Sequence, residues 1–258
     1  MKKALAVISF GTTHPDARQS IARIEKALCE AMPDCDFYRA FTSSVVRSRI
    51  AAAEGLKVPG PDELMEQLSA AGYDEVCCQS LHVMPGLEYE KMYRELIPFR
   101  GRFCCFTLGQ PLLASPEDCR AVCEGLLNSL PDCAPEEAYV YMGHGTEHFA
   151  NAVYSEMENQ FRALGAERVY VGTVEGFPGL DYVRSRLRRR QVRRVTLAPL
   201  MIVAGDHAKN DLAGDGPDSW KSILVRDGYE VEADLRGLGE VPAVQAQFAA
   251  HCLSGKPL

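Results

Sequence analysis

Three apolar runs end in residues whose side chains bind divalent metals. YMGHG (141–145) supplies His144, VGTVEGFPG (171–179) supplies Glu175, and LMIVAGDHAKND (200–211) supplies His207 beside Asp206. Each has a glycine within two residues, which permits sharp turns and close backbone approach. Two imidazoles and one carboxylate suit a first-row divalent ion, and three protein ligands leave positions open for water or substrate. The plain alternative is two turn histidines with satisfied hydrogen bonds and a solvated strand-end glutamate. In YMGHGTEH the glycines flanking His144 read as clearance for close approach of a ligand.

The surrounding elements must bring these tips together. Short apolar runs alternate with amphipathic stretches: LAVISF, helical 15–31, DFYRAF, helical 61–72, EVCCQSLHV, helical 88–98, RFCCFTL and helical 116–129. The scheme then repeats with AYVYM, helical 147–164, RVYVGTV, helical 180–190, RVTLAPLMIV, short helices at 207–213 and 218–227, YEVEADL and a closing helix at 241–253. Strands alternating with helices of this length predict an α/β fold: two similar domains, each a parallel sheet flanked by helices. Ligands of such sheets bind at the carboxyl ends of strands, so the active-site cleft is expected between the domains. The turn-rich DCAPEE places the boundary at 132/133, giving domains 1–132 and 133–258, with the C-terminal helix free to pack on the first.

The halves overlay. Phe10-Gly11-Thr12-Thr13-His14 matches His144-Gly145-Thr146-Glu147-His148, and SLHVMPGLEYEK (80–91) matches PLMIVAGDHAKN (199–210), setting Gly86 on Gly205 and Glu88 on His207.

Composition excludes several classes. Across 258 residues the net charge is −7, so bulk electrostatics favours neither nucleic acid nor an anionic membrane. The basic run RSRLRRRQVRR (184–194) sits late in a helix, where cations complement the dipole, and at the end opposite the strand tips. MKKALAVISFG lacks a cleavage site and reads as a first strand, so a cytoplasmic location is expected, without a membrane segment. Ten cysteines without an export signal imply reduced thiols. Cys119 and Cys123 lie one helical turn apart, with Cys133 beyond, but no CxxC supports an iron–sulfur cluster. GLGE and GDGPD are turns rather than phosphate cradles, so no nucleotide is expected.

The chain resembles the anaerobic cobalt chelatases, the CbiK type of class II tetrapyrrole chelatase, over essentially its full length. The resemblance is carried by ALAVISFGTTH, RAFTSSVVR (39–47), QSLHVMPGLEYEK (79–91), YMGHGTEH, VEGFPGLD (174–181), LMIVAGDHAKNDLAGDGPDSW (200–220) and GLGE (237–240). It implies ATP-independent insertion of Co²⁺ into sirohydrochlorin, in the early-cobalt route to cobalamin, by a homo-oligomer. It places the family's metal ligands on His144, Glu175 and His207, where all three residue types are preserved. A substrate rimmed with carboxylates needs local cations on this acidic chain. Arg39, Arg47, Arg49 and Lys209 are the candidates, with the backbone amides of Ser9, Phe10, Gly11 and Thr12 where the next helix begins. Glu175 or Glu88 would carry protons away, His82 would line the cleft, and His148 would support His144 or meet a substrate carboxylate. Asn151, Tyr154 and Trp220 are candidate ring contacts by motif position. Fe²⁺ or Ni²⁺ could share such ligands. The competing readings are a zinc hydrolase using the same three residues and a non-catalytic tetrapyrrole or metal carrier.

Overall fold

A computed structural model describes residues 1–130 and 133–258. The chain runs β1 (Lys3–Ser9), α1 (Arg18–Ala31), β2 (Asp36–Phe41), α2 (Ser44–Glu54), α3 (Pro61–Ala70), β3 (Glu75–Ser80), α4 (Leu87–Leu96) and β4 (Cys105–Gly109). It continues through α5 (Pro116–Leu127), β5 (Glu137–Gly145), α6 (Ala152–Ala163), β6 (Val169–Glu175), α7 (Leu180–Arg189), β7 (Arg194–Pro199), α8 (Trp220–Arg226) and β8 (Glu230–Ala233). The last elements are α9 (Pro242–Leu253) and β9 (Lys256–Pro257).

The chain divides into two compact units, Met1–Ala114 with Val244–Leu258, and Ser115–Ala243. The division falls before α5 rather than at 132/133, and residue 132 lies outside the described residues. Contacts decide this where turn composition cannot: α5 packs on α6, and most of α9 belongs with the first unit.

In the first unit the sheet order is β2-β1-β3-β4-β9, parallel except for β9. β1 is buried on both faces, which is why KALAVIS reads as a continuous apolar run. Ala4, Ala6 and Ile8 face a core with Leu64, Leu68, Met92 and Leu96 of α3 and α4. Helix α2, with only Ile50 fully buried, carries no apolar periodicity that predicts it. Both of its caps were visible: Ser43 accepts the Val46 N–H at 3.3 Å, and Gly55 closes it at φ +68°.

In the second unit the order is β6-β5-β7-β8, all parallel. Val140, Met142 and Leu197 pack with Val183, Leu187, Trp220 and Leu224. Five of the seven arginines of the run are in ion pairs: Arg184 and Arg188 with Asp227, Arg186 with the buried Glu158, Arg190 with Glu167, and Arg194 with Glu137. Arg194 opens β7, so the run ends at the amino edge of the sheet.

The repeat is written in hydrogen bonds. Leu81 N–H donates to Ile8 O and Leu200 N–H to Met142 O, both at 2.8 Å. Glu90 N–H reaches Gly86 O at 2.9 Å, and Lys209 N–H reaches Gly205 O at 3.0 Å. Thr12 Oγ1 accepts from His14 N–H at 3.2 Å, and Thr146 Oγ1 from His148 N–H at 3.1 Å. These pairs follow the overlay of Gly86 on Gly205 and of FGTTH on HGTEH. No helix among the described residues is long and apolar enough to cross a membrane.

Candidate metal site

His144 is the penultimate residue of β5, and its ring centroid lies 4.5 Å from that of His207, edge to face. Both rings have one nitrogen committed. His144 Nδ1 lies 3.0 Å from Gly145 O, and a carbonyl only accepts, so Nδ1 carries the hydrogen. His207 Nδ1 lies 2.5 Å from Asp211 Oδ2, an orienting carboxylate of the kind that fixes ligand histidines. Each ring therefore has its Nε2 left for an ion. Asp211 was not singled out from sequence; the available signal was its position four residues after His207.

Glu175 ends β6 with its side chain exposed, and the β ladder sets it opposite Gly145. Among the described residues no three His, Cys, Asp or Glu side chains stand as a ready metal cage. The two imidazoles are brought together, while Glu175 is brought alongside through the backbone.

The glycines around His144 serve the protein itself. A Cβ at Gly143 would stand 2.0 Å from the Tyr154 ring, and one at Gly145 would stand 1.7 Å from Glu175 O. Gly145 also has φ +83°, a conformation that favours glycine. Clearance for a ligand is thus not what these positions require.

Asn151 ties the two loops. Its Oδ1 accepts from Thr146 N–H at 3.0 Å, and its Nδ2 donates to Phe177 O at 2.5 Å. Thr173 N–H and Oγ1 donate to Pro178 O at 2.7 and 3.1 Å, folding the loop after Glu175 back on β6. Asn151 is therefore held by backbone groups rather than presented to a ring. Tyr154 and Trp220 are buried, and Tyr154 Oη lies 3.4 Å from Gly145 N–H. His148 Nδ1 accepts from Ala150 N–H at 3.1 Å, capping the turn that leads into α6.

In the first unit, Phe10 is exposed and Gly11 takes φ +89°, while Ser9 and Thr12 are buried. Glu88 Oε2 accepts from Thr42 Oγ1 at 3.2 Å. Arg39 does not join these tips. It pairs with Val7 in mid-strand, and its Nε donates to the buried Glu25 at 2.6 Å. A strand-centre position with a buried carboxylate partner leaves that guanidinium engaged away from the strand ends. Arg47 is likewise paired, with Glu63 at 2.7 Å, and Arg49 is exposed. His82 is buried, with Nδ1 2.8 Å from Ser80 Oγ, and burial lowers its pKa to about 4. Cys119 and Cys123 are buried in α5, and burial pushes the Cys119 thiol up to about 12, which suits packing rather than ligation.

Parallel sheets flanked by helices are also the fold of known chelatases. The chain aligns with SirB from Bacillus subtilis, whose structure was determined with Fe³⁺, at TM-score 0.62 and 14% identity, covering 97% of this chain and 94% of that one. That likeness defines the fold. The profile of the cobalt chelatase (CbiK) family matches residues 3–255, and the chain belongs to that family. It is 41% identical to the sirohydrochlorin cobaltochelatase of Salmonella typhimurium, over 97% of this chain and 95% of the relative. It is 34% identical to the sirohydrochlorin cobaltochelatase CbiKC of Nitratidesulfovibrio vulgaris, over 93% and 85%. The chain is thus an enzyme of the metal chelatase class.

Proposed function

We propose that this chain inserts Co²⁺ into sirohydrochlorin without ATP, with His144, His207 and Glu175 holding the ion. The observation that carries the reading is the pairing of two imidazoles with committed Nδ1 atoms, one at the end of β5 and one at the start of the helical segment Ala208–Leu212, in a cobalt chelatase chain. The substrate follows the relatives, both named for sirohydrochlorin.

The reaction exchanges two pyrrole N–H protons for one dication, so charge balances without an energy source. Co²⁺ is the substrate metal, and it must shed water before the ring nitrogens take it. Nε2 of His144 and His207 replace part of that water, and the Glu175 carboxylate lowers the cost of holding the dication. His144 has one nitrogen left for chemistry. It cannot bind the ion and accept a proton there at once, so these are successive roles: ligand first, then acceptor once the ion has moved to the ring. Glu175, exposed at the end of β6, takes protons onward to solvent. On the first unit, the Ser9–Thr12 turn and Glu88 are proposed substrate contacts.

The test is an anaerobic absorbance assay with sirohydrochlorin and Co²⁺, without nucleotide. Many turnovers per enzyme are expected. A rate equal to the protein-free control sinks the proposal, and a single stoichiometric burst points to a carrier. Substituting Fe²⁺ or Ni²⁺ at equal concentration is expected to slow insertion; a faster rate with either reassigns the metal. His207→Ala is expected to lose most activity with unchanged circular dichroism.

A further inference from the structure

We propose that Cys77 and Cys252 form a thiol–disulfide exchange site that accepts small-molecule disulfides. Cys77 lies in β3 and Cys252 in α9, and their sulfurs are 3.4 Å apart. Cys252 Sγ is also 3.2 Å from Met32 Sδ. The three residues line an open cavity of about 330 Å³ with Cys35 and Thr107. Cys77 is half-buried, while Cys252 is only 2% exposed. That asymmetry assigns the roles: Cys77 meets the incoming disulfide and Cys252 resolves the adduct. A hydrogen bond from Cys252, with help from the Thr107 hydroxyl, holds the Cys77 thiol below its ordinary range. Donating to Cys77, together with burial, pushes Cys252 up. The nucleophile is thus the reachable thiol.

The exchange balances. The Cys77 thiolate attacks one sulfur of RSSR, the new Cys77 S–S bond forms, and RS⁻ leaves and takes a proton. Cys252 loses its proton and attacks the Cys77 sulfur, releasing the second RS⁻. The protein gives up two electrons and two protons, and RSSR becomes two RSH. The product joins β3 to the C-terminal helix within the first unit. A soft metal fits less well. Two thiolates on one tetrahedral ion at about 2.3 Å would stand about 3.8 Å apart, wider than the observed pair. Among the described residues no group of three His, Cys, Asp or Glu side chains is arranged for a metal.

The experiment uses the reduced full-length protein and oxidised glutathione under anaerobic conditions, followed by acid quench, alkylation and peptide mapping. The expected result is a Cys77–Cys252 linked peptide, loss of two alkylatable thiols, and reversal by dithiothreitol. In Cys252→Ser, a glutathione adduct is expected to accumulate on Cys77; in Cys77→Ser, Cys252 is expected to stay reduced. The proposal is overturned if Cys77 and Cys252 both remain alkylatable while the exposed Cys104 and Cys105 carry glutathione. It is equally overturned if Cys77 links to Cys35. Should a variant misfold, the wild-type map decides alone.

Discussion

The Asp211 carboxylate lies 2.5 Å from Nδ1 of His207, one turn along the same helical segment. It holds the His207 ring through Nδ1, leaving Nε2 as the nitrogen proposed for the ion. Orienting partners of this kind are worth about 10–100-fold in metal affinity or activity. Asp211→Ala is therefore expected to weaken Co²⁺ binding within that range, read by calorimetry. Asp211→Asn keeps an acceptor and is expected to fall between. Equal affinity in all three proteins would remove the orienting role.

Gly145→Ala should be costly. The position combines φ +83° with a Cβ placed 1.7 Å from Glu175 O. Backbone strain alone is about 1–3 kcal/mol, and the clash adds to it. We expect a loss of about 3 kcal/mol or more in urea unfolding, with β5 and β6 forced apart. A loss below about 0.5 kcal/mol, the usual surface range, would mean the two strand tips separate freely.

Asn151 bridges the loop that follows His144 and the loop that follows Glu175. Asn151→Ala deletes both bonds, about 1–3 kcal/mol in all. The expected signature is a higher KM for Co²⁺ with a smaller change in kcat, because the loops still visit the bound geometry. Asn151→Asp keeps the acceptor for Thr146 and is expected to recover part of the effect. A pure kcat loss would contradict the positioning role.

His82 predicts a pH dependence of stability. Burial lowers its folded pKa to about 4, below the ordinary 6.5, so the unfolded chain binds the proton more readily. The stabilisation is complete above about pH 6.5 and is lost as pH falls toward 4, by at most about 3 kcal/mol. Urea midpoints of wild type should drop across that window, and those of His82→Gln should drop less. Parallel curves for the two proteins would place the acid sensitivity elsewhere.

The local level of this protein is legible in its sequence. Short runs bounded by turns anticipated β1 to β8, most of them apolar, and the overlay of SLHVMPGLEYEK on PLMIVAGDHAKN anticipated matching hydrogen bonds at Gly86 and Gly205. Periodicity and turn chemistry are properties of neighbouring residues, so they survive in one dimension. Helix α2 was lost for a related reason: it has a Ser43 cap and a Gly55 stop but only Ile50 fully buried, so no apolar stripe announces it.

The metal-site candidates His144, Glu175 and His207 were likewise nameable from residue type and position. Tertiary structure decided what surrounds them. Pairing of β5 with β6 and β7 brings His144 near His207 and sets Glu175 opposite Gly145, and Asp211, Asn151 and Tyr154 take up supporting positions. It also withdrew Arg39, whose charge is spent on Glu25 across a packed interface of the first unit. Sequence determines which groups are available; it placed His144 and Glu175 at strand ends, whereas His207, read as a strand tip, opens the helical segment after β7. Whether a charge is free or paired, and which ring nitrogen is free, depends on neighbours distant in the chain, and only the folded packing supplies those.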